Sequence, residues 1–220
     1  MACDKLSCMK MILLTSFSAL MASLLCTLAQ PDTQVEKKKG AEDAPLGNAN
    51  EVAVIKTSKG EMVVEFWPDV APKAVANFKK LAREKFYDDT AFHCIVKGFA
   101  IQGGDPLTKD PAAQGRYGSG GPGYTIKDEF NDRKHVRGVL SMVRSALPDS
   151  AGSQFAIFLE RAPILNSKST AFGKLIKGED VLMKIGDTPT TMNHAGTEKS
   201  VPTERITVES IRIVPAASVK

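Results

Sequence analysis

What most constrains this chain is a succession of short β-rich runs, each cut off by turn residues, between residues 51 and 214. Val52-Ala53-Val54-Ile55 and Met62-Val63-Val64-Glu65-Phe66 flank Ser58-Lys59-Gly60 and predict a hairpin. Pro68 ends the second run, because proline has no N–H to give a ladder. Further strands are predicted at 91–96, 99–102, 138–142, 154–159 and 170–175. In 205–214, Ile206, Val208, Ile211 and Ile213 alternate with polar residues, and the slip near Glu209-Ser210 predicts a β-bulge. Two helices interrupt the strands. Pro72 suits a first turn, and Val75, Phe78, Leu81 and Ala82 follow at helical spacing, leaving Lys73, Asn77, Lys80 and Arg83 for the wet face. Residues 179–185 predict a short second helix. Many strands with two helices in one domain argue for a mainly β fold, a closed antiparallel barrel.

The flanks read differently. Residues 12–25 form an apolar run, preceded by Lys10 and followed by Thr27-Leu28-Ala29. A basic segment, an apolar segment and a small-x-small site make up a secretory leader, so residues 1–29 are expected to be removed. Met9 makes a more natural leader start than Met1, since Asp4 is unusual there. A membrane is reached only through an uncleaved leader or lipidation at Cys26, and Leu25 is larger than the residue that normally precedes a lipidated cysteine. Residues 30–50, rich in charge, Pro, Gly and Asn, predict a flexible linker. Residues 51–215 then form one domain, and 216–220 a short tail. The expected location is periplasmic or secreted. Cys3, Cys8 and Cys26 fall in the leader, so Cys94 is the cysteine of the mature chain.

A formal net charge of +4, with acids and bases interspersed, gives no concentrated basic patch for nucleic acid. Lys37-Lys38-Lys39 lies in the linker and reads as a solvated tether. The segment 118–123, GSGGPG, satisfies G-x-G-x-x-G literally, yet Pro122 lies inside it and no helix follows, so it reads as a surface loop within the long loop 105–132. His93 and Cys94 are adjacent, and strand neighbours point to opposite faces, which excludes a thiol–imidazole pair. His93 is expected to pack as a barrel histidine. His135 and His194 carry no metal-ligand spacing.

Residues 91–105 read AFHCIVKGFAIQGGD, and 152–155 read GSQF. With TSKGEMVVEFWPDVAPKAVANFKKLA, GVLSMVRSALPDSAGSQF and TAFGKLIKGEDVLMKI in the same order, the chain resembles the cyclophilin family of peptidyl-prolyl cis-trans isomerases over 51–214. The resemblance implies an eight-stranded barrel capped by two α-helices, acting as a monomer on proline-containing polypeptides without metal or cofactor. By position in the family's segments, Phe99 matches the phenylalanine of the proline pocket, Gln102 the glutamine that contacts the substrate backbone, and Gln154 a second groove glutamine. These three are the expected catalytic residues. Leu165 matches the pocket leucine, and Ser141, Met142, Val143, Arg144 and Ser145 match the rim strand and its turn.

The chain also departs from the family. Cys94 stands where the family has its catalytic arginine, and Ala100 where methionine is common. Ala156 replaces a pocket phenylalanine, Ile164 an aromatic residue, and Ser169 a histidine or tyrosine. Isomerisation needs a grip on the chain and an environment that favours the twisted amide, which has lost its resonance. A thiol is a weak hydrogen-bond donor, so the expected activity is slow isomerisation that assists folding of exported proteins. The alternative is a non-catalytic groove that binds extended proline-containing chains as a chaperone or adaptor.

Overall fold

The structure, a computed structural model, describes residues 50–219. The leader, Cys26, the lysine run and all but the last residue of the linker lie outside the described residues. The predicted hairpin is β1 (Glu51–Thr57) and β2 (Gly60–Phe66). The helix α1 (Pro72–Arg83) follows. Next come β3 (Thr90–Phe92), β4 (Cys94–Val96), β5 (Ala100–Gly103), β6 (Val139–Met142), β7 (Phe155–Phe158) and β8 (Ala171–Lys177). The helix α2 (Glu179–Gly186) precedes β9 (Thr190–Met192), β10 (Lys199–Pro202) and β11 (Ile206–Pro215). Sequence reading misses the small β9–β10 hairpin, whose strands are short and polar and show no alternation.

The main sheet has nine strands, in the order β3-β11-β1-β2-β8-β6-β7-β5-β4, and every pairing is antiparallel. The expected number was eight. The difference lies at His93, which alone separates β3 from β4. These two pieces of one bent run hold the two ends of the sheet, so the chain itself joins the ends into a barrel. The ladder carries across the break, where the His93 backbone N–H donates to the Gln102 carbonyl at 3.1 Å. The bulge lies where the slip predicts it: Lys56 pairs with Ser210 and Thr57 with Val208, skipping Glu209.

Alternation along the strands sorts side chains into two apolar groups. Ile95, Ile101, Leu140, Met142, Phe155 and Ile157 point into the barrel and join the core with Phe78 of α1. Cys94, Val96, Ala100, Ala156 and Phe158 point outward and form a second cluster with Phe99, Val143 and Leu165. The N-terminus of α1 has no side-chain cap of its own. Glu129 accepts the Lys73 and Ala74 N–H groups at 3.0 and 2.9 Å, a favourable place for a carboxylate. Asn77 departs from its predicted place on the wet face. It is buried, donates to the Gly152 carbonyl at 2.8 Å and accepts from the Tyr124 hydroxyl at 2.8 Å, because the loops before β7 close over it.

Candidate active site

Strand register builds the site. Cys94 on β4 pairs with Gln102 on β5, Gln102 with Ala156 on β7, Ala156 with Ser141 on β6, and Ser141 with Ala171 on β8. One outward row across five strands therefore brings together Cys94, Gln102, Ala156 and Ser141. Phe99 flanks this row. A turn at Gly98, in the left-handed region at φ 66°, lets the Phe99 N–H reach the Val96 carbonyl at 2.9 Å. The Phe99 ring meets Phe158 edge-on at 5.5 Å. Leu165, buried in the same cluster, comes from the 3₁₀ turn Pro163–Leu165.

Gln102 and Gln154 touch: Gln102 Nε2 donates to Gln154 Oε1 at 2.8 Å. Gln154 Nε2 donates to the carbonyls of Gly118 and Gly120 at 2.9 and 2.8 Å. A cavity of about 490 Å³ opens beside this pair, lined by the glycine-rich loop, Val143, Arg144, Ser145 and Gln154. The other expected groove residues divide. Ala100 and Ala156 are buried in the outer cluster with Val143. Ile164 is 54% exposed and is not part of the outer cluster. Ser169 is buried and turned to its own neighbours, with its hydroxyl 2.8 Å from that of Ser141 and donating to the Met142 carbonyl at 3.3 Å. Arg144 is held rather than extended into solvent. Its guanidinium donates to the Ser145 and Leu147 carbonyls at 3.2 and 3.3 Å, lies 3.8 Å from Asp128 and covers the Phe130 ring.

Sequence reading misses His135. Its Nε2 lies 3.2 Å from the Ser141 hydroxyl and its Nδ1 3.4 Å from Asn166 Oδ1, and its ring meets Phe158 edge-on at 5.1 Å. This buried chain of His135, Ser141 and Ser169 backs the outer cluster. The fold alone brings this chain together, because Ser141 and Ser169 are 28 residues apart. His93 packs against Tyr117, and its ring nitrogens make no hydrogen bond of good geometry, the Ala91 backbone being the nearest polar influence beside Asp105. Among the described residues no cluster of three His, Cys, Asp or Glu side chains could hold a metal ion.

Burial pushes the His93 imidazole below the usual histidine value of 6.5, opposed by the negative charge of Asp105. Burial does the same to His135, opposed by its hydrogen bond to Asn166. The unfolded chain takes up protons as pH falls through about 6.5, more readily than these buried rings do. Stability is therefore full above that value and declines below it. Lowering the pH from 6.5 to 5.5 should therefore cost stability. Urea melts at the two pH values should show the decline, and His93→Phe should make it smaller. A parent whose stability is flat across this range would refute the lowered histidine values.

The sequence model of the family described as "Cyclophilin type peptidyl-prolyl cis-trans isomerase/CLD" matches residues 52–213. A "Probable peptidyl-prolyl cis-trans isomerase" of Brucella abortus is 38% identical over 149 residues, covering 66% of this chain and 76% of the relative. A "Peptidyl-prolyl cis-trans isomerase-like 2" of Cryptococcus neoformans is 37% identical over 181 residues, covering 74% of this chain and 30% of the relative. Among solved structures, a Cryptosporidium parvum cyclophilin type peptidyl-prolyl cis-trans isomerase, crystallised in the presence of the dipeptide Ala-Pro, is similar with a TM-score of 0.65 and 34% identity, covering 74% of this chain and 98% of that one. The match runs through nearly the whole barrel and both segments that carry the glutamine pair, and on that ground the chain belongs to the cyclophilin-type peptidyl-prolyl cis-trans isomerase family.

Proposed function

We propose that this chain isomerises X-Pro bonds of polypeptides, at a rate limited by Cys94, and that it does so after export. The observation that carries the reading is the Gln102–Gln154 pair set directly beside an outward apolar cluster. Among the described residues Gln102 Oε1 accepts no hydrogen bond and is not one of the fully buried unpartnered atoms. It is therefore open to a substrate N–H, with one amide hydrogen of Gln102 still available for a carbonyl. Phe99 and Leu165 offer the apolar surface that a proline ring requires. The enzyme need only favour the twisted amide over the planar one, and no covalent step is involved.

The family resemblance, together with the Ala-Pro dipeptide used with the Cryptosporidium relative, supports proline-containing chains as substrates. The apolar run at 12–25 supports a bacterial exported protein, periplasmic or secreted, with 1–29 as leader, 30–50 as linker and 51–215 as the working domain. A second reading, a groove that binds without catalysing, draws on one observation: Ala100 and Ala156 place small side chains beside Gln102 on that face. Two-dimensional NMR exchange on an X-Pro peptide separates the two. The enzyme reading expects cis and trans signals linked by cross-peaks that grow with the protein present, and Gln102→Ala should weaken them about tenfold, or 1.4 kcal/mol. Shifted peptide signals without exchange would leave the binding reading in its place.

A further inference from the structure

The loop GSGGPG has a role that its resemblance to a phosphate motif conceals. Asp105 is completely buried, and among the described residues no cation pairs with it. A buried carboxylate without a cation must be satisfied by N–H donors. Asp105 Oδ1 accepts the Leu107 N–H at 2.8 Å, while Oδ2 accepts the Gly118 N–H at 2.5 Å and the Gly120 N–H at 3.3 Å. The same two glycines present their carbonyls to Gln154 Nε2. Gly118 and Gly120 are thus held on one side by Asp105 and hold Gln154 on the other.

This arrangement decides which way the Gln154 amide points. Both of its hydrogens are taken by the Gly118 and Gly120 carbonyls, which leaves its oxygen for Gln102. The flipped amide would set an oxygen against two carbonyl oxygens and an NH₂ against the Gln102 NH₂. The orientation of Gln154 in turn fixes Gln102, whose own oxygen is then left without a protein donor among the described residues. The glycines are needed for this. Gly118 has φ 93°, a region that side chains other than glycine's rarely adopt. A Cβ on Gly120 would lie 2.1 Å from Asp105 Oδ1 and 2.9 Å from Leu107 Cγ.

We infer that Asp105 is a positioning residue for the isomerase site, acting through the Gly118–Gly120 turn to hold Gln154 and, through it, Gln102. The inference rests on the proposed role of the glutamine pair, and its test has a readout independent of turnover. Asp105→Asn keeps the shape but places an NH₂ group against at least one N–H that needs an acceptor. In the full chain this should speed hydrogen exchange of the Gln154 side-chain amide, followed by NMR, by at least tenfold. It should also lower kcat/KM on an X-Pro peptide about tenfold.

A double-mutant cycle separates positioning from general destabilisation. In a Gln154→Ala background, Asp105→Asn should cost nothing further in kcat/KM. Gly120→Ala, which pushes the turn and the Asp105 carboxylate apart while leaving the carboxylate's chemistry unchanged, should reproduce both effects and serves if Asp105→Asn does not fold. If the parent has no measurable turnover, the proposed function is wrong, and the cycle is then read on peptide affinity instead. Unchanged exchange of the Gln154 amide in both variants, or additive losses in the cycle, would overturn the positioning role.

Discussion

Phe78→Ala should cost about 3–5 kcal/mol of stability, the largest single loss expected in this fold. Phe78 lies on the buried face of α1, where its ring is fully covered. Its ring centre lies 5.1 Å from Tyr87, 5.3 Å from Phe155, 5.4 Å from Phe172 and 5.8 Å from Phe66. These partners come from β2, β7, β8 and the loop after α1, so one side chain joins the helix to strands spread around the barrel. Truncation removes edge-on and tilted ring contacts together with the transfer energy of the ring, and the rigid barrel can close only part of the gap. Set against a typical total of 5–15 kcal/mol, this leaves little margin. Urea melts should show a lower midpoint with unchanged slope, and the melting temperature should fall by roughly 6–20 °C. Phe78→Leu, which keeps much of the volume, should lose less than half as much. A loss under 1 kcal/mol for the alanine variant would mean that α1 is not anchored through this ring.

Much of this packing is legible in the sequence because period and burial coincide. The spacing of Val75, Phe78, Leu81 and Ala82 gives α1, and the alternation in 205–214 gives β11 with its bulge. Asn77 and Lys79 are less legible. A buried asparagine reads as a surface residue until the Gly152 carbonyl and Tyr124 are seen closing on it. Lys79 is nearly covered, with its ammonium 3.1 Å from Glu51 and above the Phe66 ring. Burial alone would raise the Glu51 carboxyl, but the ion pairs with Lys79 and Arg83 outweigh it and hold the pKa below its usual value. No periodicity encodes such a pairing between the first strand and the helix.

The site divides in the same way. A row such as Cys94, Gln102 and Ala156 follows from alternation once the pairing of β4, β5 and β7 is known, so segment resemblance suffices to locate it. The Ser141–His135 contact and the Asp105 clamp are set by long loops, whose path the residue pattern does not specify. The glycines of 118–123 show in the sequence that the backbone does something unusual there, but not for whom. Ser169 shows the converse case. Its position in the family's segments suggests a groove wall, while its hydroxyl is used within the buried chain behind that wall.

Cys94→Arg should raise the isomerisation rate ten- to a hundredfold, or about 1.4–2.8 kcal/mol in the barrier. As the amide twists, its nitrogen gains basicity and its carbonyl oxygen loses resonance, so a fixed donor stabilises the transition state more than the planar substrate. Position 94 lies directly across the strand from Gln102, and Gln102 pairs in turn with Ala156. An arginine stem starting there can run along a face made shallow by Ala156 and Ala100, keeping its methylenes against the outer cluster and its guanidinium toward solvent. Arg144 does not already supply this charge, since Asp128, two loop carbonyls and the Phe130 ring engage it. Two-dimensional NMR exchange on an X-Pro peptide reads the rate directly, and a Cys94→Lys variant serves as a control. Lysine carries the charge without the planar fork of donors, so it should recover less of the gain. If arginine and lysine give equal rates, bulk charge is the operative factor. If Cys94→Arg folds, binds the peptide and gives no faster exchange, the barrier is set elsewhere, and the small residues Ala100 and Ala156 become the next positions to enlarge.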